Sequence, residues 1–470
     1  MSRASRRPRI LLHMEDPQRD GSVLLALGAL FESAGARVVF STRRRTLRLL
    51  KTLSLDAALI SSPDNIPYDA YPWVRRRTQL FRLPTEGAIF EEGPLLLKYA
   101  GGTDPQRWDR HIEGIRRFFL WGDNSRRVLL RTGRFPEEKL LAVGAPRMDY
   151  FLVPRAEREL MNGEGAPLGI ISSFPLINDI TLEPMPQKID ANRGDSWAYQ
   201  SQDRNFEDRL WVEAACFRIL IAFYEECRRL GERTQMQIHP HENRNVYRYF
   251  EERYSPGLSL SEPLLPFGSW LDRVQAVVGF NSTTFFEAVA ARKPAVNLTG
   301  MAGPRLAEHT NRFAQNHYPI MDHVNNPRNW EELFAFLGRV RNLRPEEPFT
   351  HTPEAQALLQ EVCHFPRTVS TLARIVQAVL SDLGESAREP GRGLRERWAL
   401  AQAKALDFYT FRVRRDPIGN CWFPLSVPWL RRRYAKEVER YLRAARNFPC
   451  TEKPPADHPV NLRQTLEISR

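Results

Sequence analysis

Residues 276–298 read AVVGFNSTTFFEAVAARKPAVNL. A short apolar run stops at Gly279 and Phe280, passes through Asn281, Ser282, Thr283 and Thr284, and restarts as a helix-periodic stretch carrying Glu287 before a second apolar run, PAVNL. Short apolar runs bounded by turn residues read as buried strands, and the 3.6-residue spacing between them reads as a helix. Strand, helix and strand in that order make a βαβ unit with a parallel sheet. The turn is rich in small hydroxyl residues. Ser282 or Thr283 can cap the helix, and free N–H groups at a helix start together with hydroxyls also form an anion site that needs no cationic side chain.

The same alternation extends in both directions. Upstream in this half, PLGIISSF (167–174) reads as a strand, 176–204 is polar and irregular, and a long helix runs from about Phe206 to Leu230 and closes at Gly231. The strand TQMQI follows, then HPHE and a further helix through Tyr254. Nearer the start, RILLHM (9–14), RVVF (37–40), AALIS, TQLFRL, RFFLWG and LLAVGAP alternate with helical stretches at about 20-residue spacing. Two Rossmann-like blocks in succession are expected, with ligands outside the carboxyl ends of their strands, in the cleft between the blocks. The division expected is 1–160 for an N-terminal Rossmann-like domain, 161–345 for a C-terminal Rossmann-like one, and 346–470 for a basic helical extension.

The extension contains WEELFAFLGRVRNL's neighbour TVSTLARIVQAVLSDLG, a linker-like ESAREPGRG (385–393), and a tail in which arginines interleave with aromatic residues. Such a tail can lie on an anionic membrane interface or pack as a helix pair on the first domain with its basic face in water. The chain has 470 residues, 42% of them hydrophobic, and a formal net charge of +12. A globular protein with an anionic partner fits these totals: nucleic acid, lipid headgroups or a phosphorylated substrate. Against nucleic acid, the sequence carries no RNP, KH or zinc motif. The longest apolar stretch, VLLALGALF, is far short of the roughly 20 residues of a membrane span. The start lacks a secretory h-region, and the five cysteines follow no CxxC spacing, so a cytoplasmic location is expected.

Two further motifs bear on chemistry. TQMQIHPHEN (234–243) delivers His239 at a strand end, Pro240 stops the strand, and Glu242 is placed at the start of the next helix. An imidazole there can donate to a phosphate oxygen. In GAPRMD, Arg147 can neutralise a phosphate or carboxylate, or pair with Asp149. His309, His317 and His323 show no metal spacing, and no metal site is expected.

The ordered series EEGPLLLKY, FFLWGDNSRRVL, AVGAPRMDYF, QIHPHE and GFNSTTFFEAVAARKPAV resembles the bacterial surface carbohydrate biosynthesis proteins. These are similar in turn to the β-Kdo transferases of capsule and O-antigen (lipopolysaccharide) assembly, and more distantly to sialyltransferases with an HP motif. The resemblance covers about 91–298 and leaves out the tail after 392. It implies an α/β GT-B fold and a metal-independent glycosyltransferase with no cofactor. The donor is a nucleotide sugar, CMP-linked with Kdo or another acidic sugar, and the acceptor a surface polysaccharide or lipid-linked glycan. By motif, His239 and Pro240 would meet the donor phosphate and base; the turn Asn281, Ser282, Thr283 and Thr284 the phosphate; Glu287 the ribose.

Glycosyl transfer needs a carboxylate as base or nucleophile, because its transition state is oxocarbenium-like. Glu91, Glu92, Asp149, Asp179, Asp195 and Asp203 are candidates; Glu92 and Asp179 are favoured because both follow strands expected to point at the ligand. Two alternatives stand beside this reading: a CDP-polyol phosphotransferase of cell-surface polymer synthesis, and a non-catalytic glycan or membrane scaffold. The basic tail makes peripheral attachment to the inner face of the cell membrane a further expectation.

Overall fold

The computed structural model of the chain describes residues 7–15, 17–41, 43–62, 66–84, 86–90, 92–101, 105–154, 166–178, 206–239, 242–302, 318–343, 348–366, 368–384 and 427–448. The chain is an α/β protein with two Rossmann-like units built on separate parallel sheets.

In the N-terminal unit the chain order is β1 (Arg9–His13), α1 (Pro17–Ser33), β2 (Arg37–Ser41), α2 (Arg43–Thr52), β3 (Ala57–Ile60), α3 (Tyr71–Val74) and β4 (Gln79–Arg82). It continues with α4 (Glu92–Ala100), α5 (Pro105–Gly114), β5 (Ile115–Leu120), α6 (Asp123–Arg131) and β6 (Leu140–Ala142). The sheet order is β2-β1-β3-β4-β5-β6, and every pairing is parallel. Ile10, Leu11 and Leu12 are all fully buried, as expected for strands covered on both faces, whose sequence shows continuous apolar runs rather than alternation.

The C-terminal unit contains β7 (Leu168–Ile171), α7 (Phe206–Arg229), β8 (Thr234–Gln237), α8 (Arg244–Tyr254), β9 (Leu258–Leu260), α9 (Phe267–Arg273) and β10 (Val277–Gly279). Then come α10 (Thr284–Ala290), β11 (Ala295–Asn297), α11 (Trp330–Arg341) and α12 (Pro353–Cys363). Its order is β11-β10-β7-β8-β9, again all parallel. Residues 276–298 thus form β10, α10 and β11, a βαβ unit in which β10 pairs with β11 on one side and with β7 on the other. The core is made by Leu168, Ile170, Met236, Val278 and Val296 from the strands, with Phe223 and Leu337 from the helices. Gly169 in β7 permits a close approach: a Cβ there would stand 2.8 Å from both Trp270 of α9 and Val274.

The expected domain division changes at the C-terminal end. The N-terminal unit comprises 1–87, 92–153 and 367–470, and the C-terminal unit 88–91 and 154–366. Instead of a separate extension from 346, α12 packs within the C-terminal unit, while α13 (Thr371–Gly384), α14 (Val427–Arg433) and α15 (Ala435–Asn447) pack on the N-terminal one. The physical reason is visible on the helices. Leu430, Tyr434, Tyr441, Ala444 and Ala445 are buried, Tyr434 donates to the carbonyl of Pro17 at 2.9 Å, and Arg431 pairs with Glu32 of α1 at 3.0 Å. The apolar stripe of 427–448 is therefore covered by α1 and α13, with Arg431 and Arg432 exposed and the Arg440 guanidinium 5.0 Å from the centre of the Tyr150 ring. Residues 385–426 and 449–470 of the tail lie outside the described residues. Among the described residues no helix is long and apolar enough to cross a membrane.

Candidate functional site

In the C-terminal sheet β7 is first in the chain, β8 and β9 lie on one side of it, and β10 and β11 on the other. The order reverses between β7 and β10, and such a switch point opens a crevice at the carboxyl ends of the strands. Three turns meet there. After β7 come Ser172, Ser173 and Phe174; after β8, Ile238 and His239; after β10, Phe280 to Thr283.

The serines after β7 join the other two turns. The hydroxyl of Ser172 accepts from the backbone N–H of His239 at 2.8 Å, and the hydroxyl of Ser173 donates to the carbonyl of Asn281 at 2.8 Å. His239 is half-buried, as are Asn281, Ser282, Thr283 and Thr284. The two loops singled out from the sequence thus flank the same strand end. Neither serine was among the candidate residues, although SSF directly after an apolar run was a legible signal of a polar strand end.

Beneath this crevice lies Glu242, 3% exposed. The sequence reading placed it in the first turn of a helix. The structure instead starts α8 at Arg244, with Asn243 as its cap accepting from Asn245 N–H at 3.0 Å. Glu242 turns inward, accepting from Phe174 N–H at 2.6 Å and from the Tyr247 hydroxyl. Burial pushes its carboxyl up to about 7, against the opposing pull of bonds from Tyr247, Phe174 and Ser172. The carboxylate thereby clamps the β7 turn to the HPxE segment.

At the start of α10, Thr283 occupies the capping position without a side-chain cap bond. The Ser282 hydroxyl pairs with that of Thr284 at 2.7 Å and accepts from the Thr284 N–H at 3.3 Å. The Ser282 hydroxyl is therefore engaged with Thr284 at the start of α10, while Thr283 is left at the half-exposed rim. Glu287, one turn on, is 2% exposed beside the fully buried Phe285 and Phe286. The ribose contact that the resemblance assigns to it requires a surface position, which it does not occupy in this structure.

Other candidates fall elsewhere. Pro240 and Asp179 lie outside the described residues, as do Glu91, Asp195, Asp203, His309 and His317. Glu92 is the exposed first residue of α4 in the N-terminal unit. Two residues before it, Phe90 stacks on Phe286 of α10 with ring centroids 6.5 Å apart. Arg147 sits in a 3-10 helix (Pro146–Leu152) of the N-terminal unit, its guanidinium 5.0 Å from the centre of the Trp121 ring. It is on a different unit from the other phosphate candidates. Asp149 does not serve as its ion-pair partner. Fully buried, Asp149 accepts from the Ser370 hydroxyl at 2.6 Å and from the N–H groups of Thr371 and Leu372 at 2.9 Å, so it caps α13. That commitment also takes it out of the candidate catalytic carboxylates.

Among the described residues no group of three or more His, Cys, Asp or Glu is placed to hold a metal ion. No protein-family model matches the chain, and no curated protein matches it. Solved structures do. The UDP-GlcNAc 2-epimerase of Methanocaldococcus jannaschii, in complex with UDP-GlcNAc and UDP, is 11% identical with a TM-score of 0.44, over 80% of this chain and 99% of that one. A putative UDP-N-acetylglucosamine 2-epimerase from Listeria monocytogenes is 11% identical at a TM-score of 0.43, over 83% and 100%. The wall teichoic acid polymerase TagF, in a variant soaked with CDPG, is 9% identical at 0.49, over 82% and 91%.

Proposed function

We propose that this chain is a metal-independent glycosyltransferase that draws a sugar from a nucleotide donor, with the donor phosphate held at the carboxyl ends of β7, β8 and β10. The observation that supports it is the pair of serine bonds, Ser172 to His239 and Ser173 to Asn281, which gathers the imidazole and the hydroxyl turn at one switch point. Hydroxyls and backbone N–H groups of adjoining turns, with the His239 imidazole on one of them, offer donors to a departing phosphate, and fixed donors stabilise developing charge without reorganisation.

In this reading His239 meets the phosphate and Thr283 with Asn281 completes the cradle. Glu92, an exposed carboxylate at the start of α4, takes the proton from the acceptor hydroxyl. Kdo or another acidic sugar on CMP is the donor, and the acceptor is a surface polysaccharide or lipid-linked glycan. The basic outer face of α14 and α15 then supplies attraction to an anionic membrane surface rather than insertion into it.

Calorimetry with CMP, CDP, UDP and GDP tests the reading. Saturable binding of one of them, lost in His239→Ala, is expected. Failure of all four to bind, or binding unchanged in the variant, removes the donor site. A product that retains donor phosphate assigns the chain to polyol phosphate transfer instead.

A further inference from the structure

In the N-terminal unit the loops at the amino ends of β4, β5 and β6 frame a groove of about 470 Å³. Arg75 enters it from the turn after α3, Arg116 and Arg117 from the start of β5, and Lys139 from the 3-10 turn (Glu137–Lys139) before β6. The carboxylates of the lining are Glu113 and Glu138. Fully buried Asp382 of α13 is shared by two guanidiniums, accepting from Arg117 Nη2 at 2.8 Å and from Arg116 Nη2 at 3.2 Å. Glu113 is engaged by Arg75. The Lys139 ammonium turns to backbone instead, donating to the carbonyls of Ile112 at 2.9 Å and Glu113 at 3.0 Å.

The charge continues past the groove. Arg75, Arg76 and Arg77 are all exposed. The Arg77 guanidinium lies 6.0 Å from the centre of the Trp73 ring, and the Lys51 ammonium of α2 lies 5.9 Å from the same centre. Trp73 is half-buried, and both of its cations are exposed. Among the described residues neither Lys51 nor Arg77 has a carboxylate partner. Groove and ring together hold six cations, Lys51, Arg75, Arg77, Arg116, Arg117 and Lys139, against three carboxylates, Glu113, Glu138 and Asp382.

Like charges gathered this way repel in the free protein, and a surface of opposite sign relieves the repulsion. A small soluble anion answers the guanidiniums but leaves a half-exposed indole without a purpose. Indole rings are at home where water meets hydrocarbon, because their body is apolar and their N–H polar. A nucleic acid asks for cations along a track of several phosphates; here they surround one groove and one ring, and the sequence carries no RNP, KH or zinc motif. Lipid headgroups put phosphates at the level of that water–hydrocarbon boundary, which matches both features.

We infer that this face of the N-terminal unit docks on an anionic lipid surface, with headgroup phosphates over the groove and Trp73 between Lys51 and Arg77 at its rim. The contact lies at the amino ends of the strands and leaves open their carboxyl ends, where α/β sheets take ligands. It uses residues other than the exposed arginines of α14, and it stands without the transferase reading, since neither donor nor acceptor enters it.

Flotation of the full chain with vesicles of phosphatidylcholine, alone or mixed with phosphatidylglycerol, provides the test. Binding to the mixed vesicles that weakens with added salt, and none to phosphatidylcholine alone, is expected. Lys51→Gln with Arg77→Gln should lower the affinity by roughly twentyfold or more, about fivefold for each charge removed. Trp73→Ala, which leaves every charge in place, should also lower it, and Trp73→Phe should retain more than Ala does. Equal binding to both vesicles overturns the inference, as does parent-like binding of the Lys51→Gln, Arg77→Gln chain or of Trp73→Ala. Loss of binding only in Arg431→Gln with Arg432→Gln moves the contact to α14 and overturns it too, as does release of the chain by inorganic phosphate or mixed-sequence RNA at the same ionic strength. His239→Ala should float as the parent does whether or not it loses nucleotide, so failure of the donor site and failure of the docking face are seen separately.

Discussion

Replacing Glu242 by Gln should stabilise the C-terminal unit in neutral and alkaline solution and do little in acid. The carboxyl is raised from 4.5 to about 7 by burial. A shift of about 2.5 units corresponds to on the order of 3 kcal/mol. A carboxyl whose folded pKa exceeds its unfolded one keeps its proton longer when folded. The folded chain therefore binds more protons between about pH 4.5 and 7, and stability falls as pH climbs through that window. Gln mimics the protonated form: its carbonyl can accept from Phe174 N–H while its amide donates to the Tyr247 hydroxyl oxygen, which also accepts.

His351 complicates the wild-type curve. Burial lowers its pKa from 6.5 to about 4, so its contribution is lost as pH falls through that range, the opposite slope to Glu242. Subtracting Glu242→Gln from wild type cancels it. At pH 8 the variant is expected to gain about 3 kcal/mol, which for a unit of this size raises the midpoint by roughly 6–12 °C, and at pH 4.5 the two proteins should coincide. Scanning calorimetry from pH 4.5 to 8 reads this directly. A difference that stays constant with pH would refute the buried, proton-holding carboxyl.

Further outcomes follow from the same geometry. Asp149→Ala removes the cap of α13 and three buried bonds, and should cost about 2–3 kcal/mol in urea unfolding; an unmoved midpoint would mean that the GAPRMD carboxylate does not anchor the C-terminal helices. Ser172→Ala frees the His239 backbone and should weaken nucleotide binding by roughly five- to tenfold, about 1 kcal/mol, as read by calorimetry on a chain whose melting is otherwise retained. Glu92→Gln should lower turnover by about a hundredfold or more with nucleotide affinity unchanged; turnover within twofold of wild type would take the base role away from it.

How much of this was legible is clearest residue by residue. The run AVVGF and the structure's β10 differ by one residue at each end, because a parallel strand covered on both faces is apolar along its length; TQMQI and β8 differ by one residue although β8 carries Gln235 and Gln237. His239 and the hydroxyl turn were legible for a related reason: polar residues at the end of an apolar strand have nowhere to go but the sheet's edge. Glu242 was misplaced because a carboxylate after HP looks alike in the first turn of a helix and in a buried clamp. Its partners, Phe174 and Tyr247, sit 68 residues before it and 5 after it. The tail's basic, aromatic helices offered two fates by composition, and the structure shows Tyr434 of 427–448 seated against α1, donating to the Pro17 carbonyl.

By itself, then, the sequence determined the kind of element at most places, the parallel α/β class and the loops rich in hydroxyl and imidazole groups, since each depends on periodicity and turn chemistry within a few residues. Strand order, the return of the last described helices to the first unit, and the meeting of Ser172 with His239 and of Asp149 with α13 were decided only in three dimensions. These are choices among surfaces of equal hydrophobicity, settled by which side chains fit and which buried polar atoms find a partner across hundreds of intervening residues.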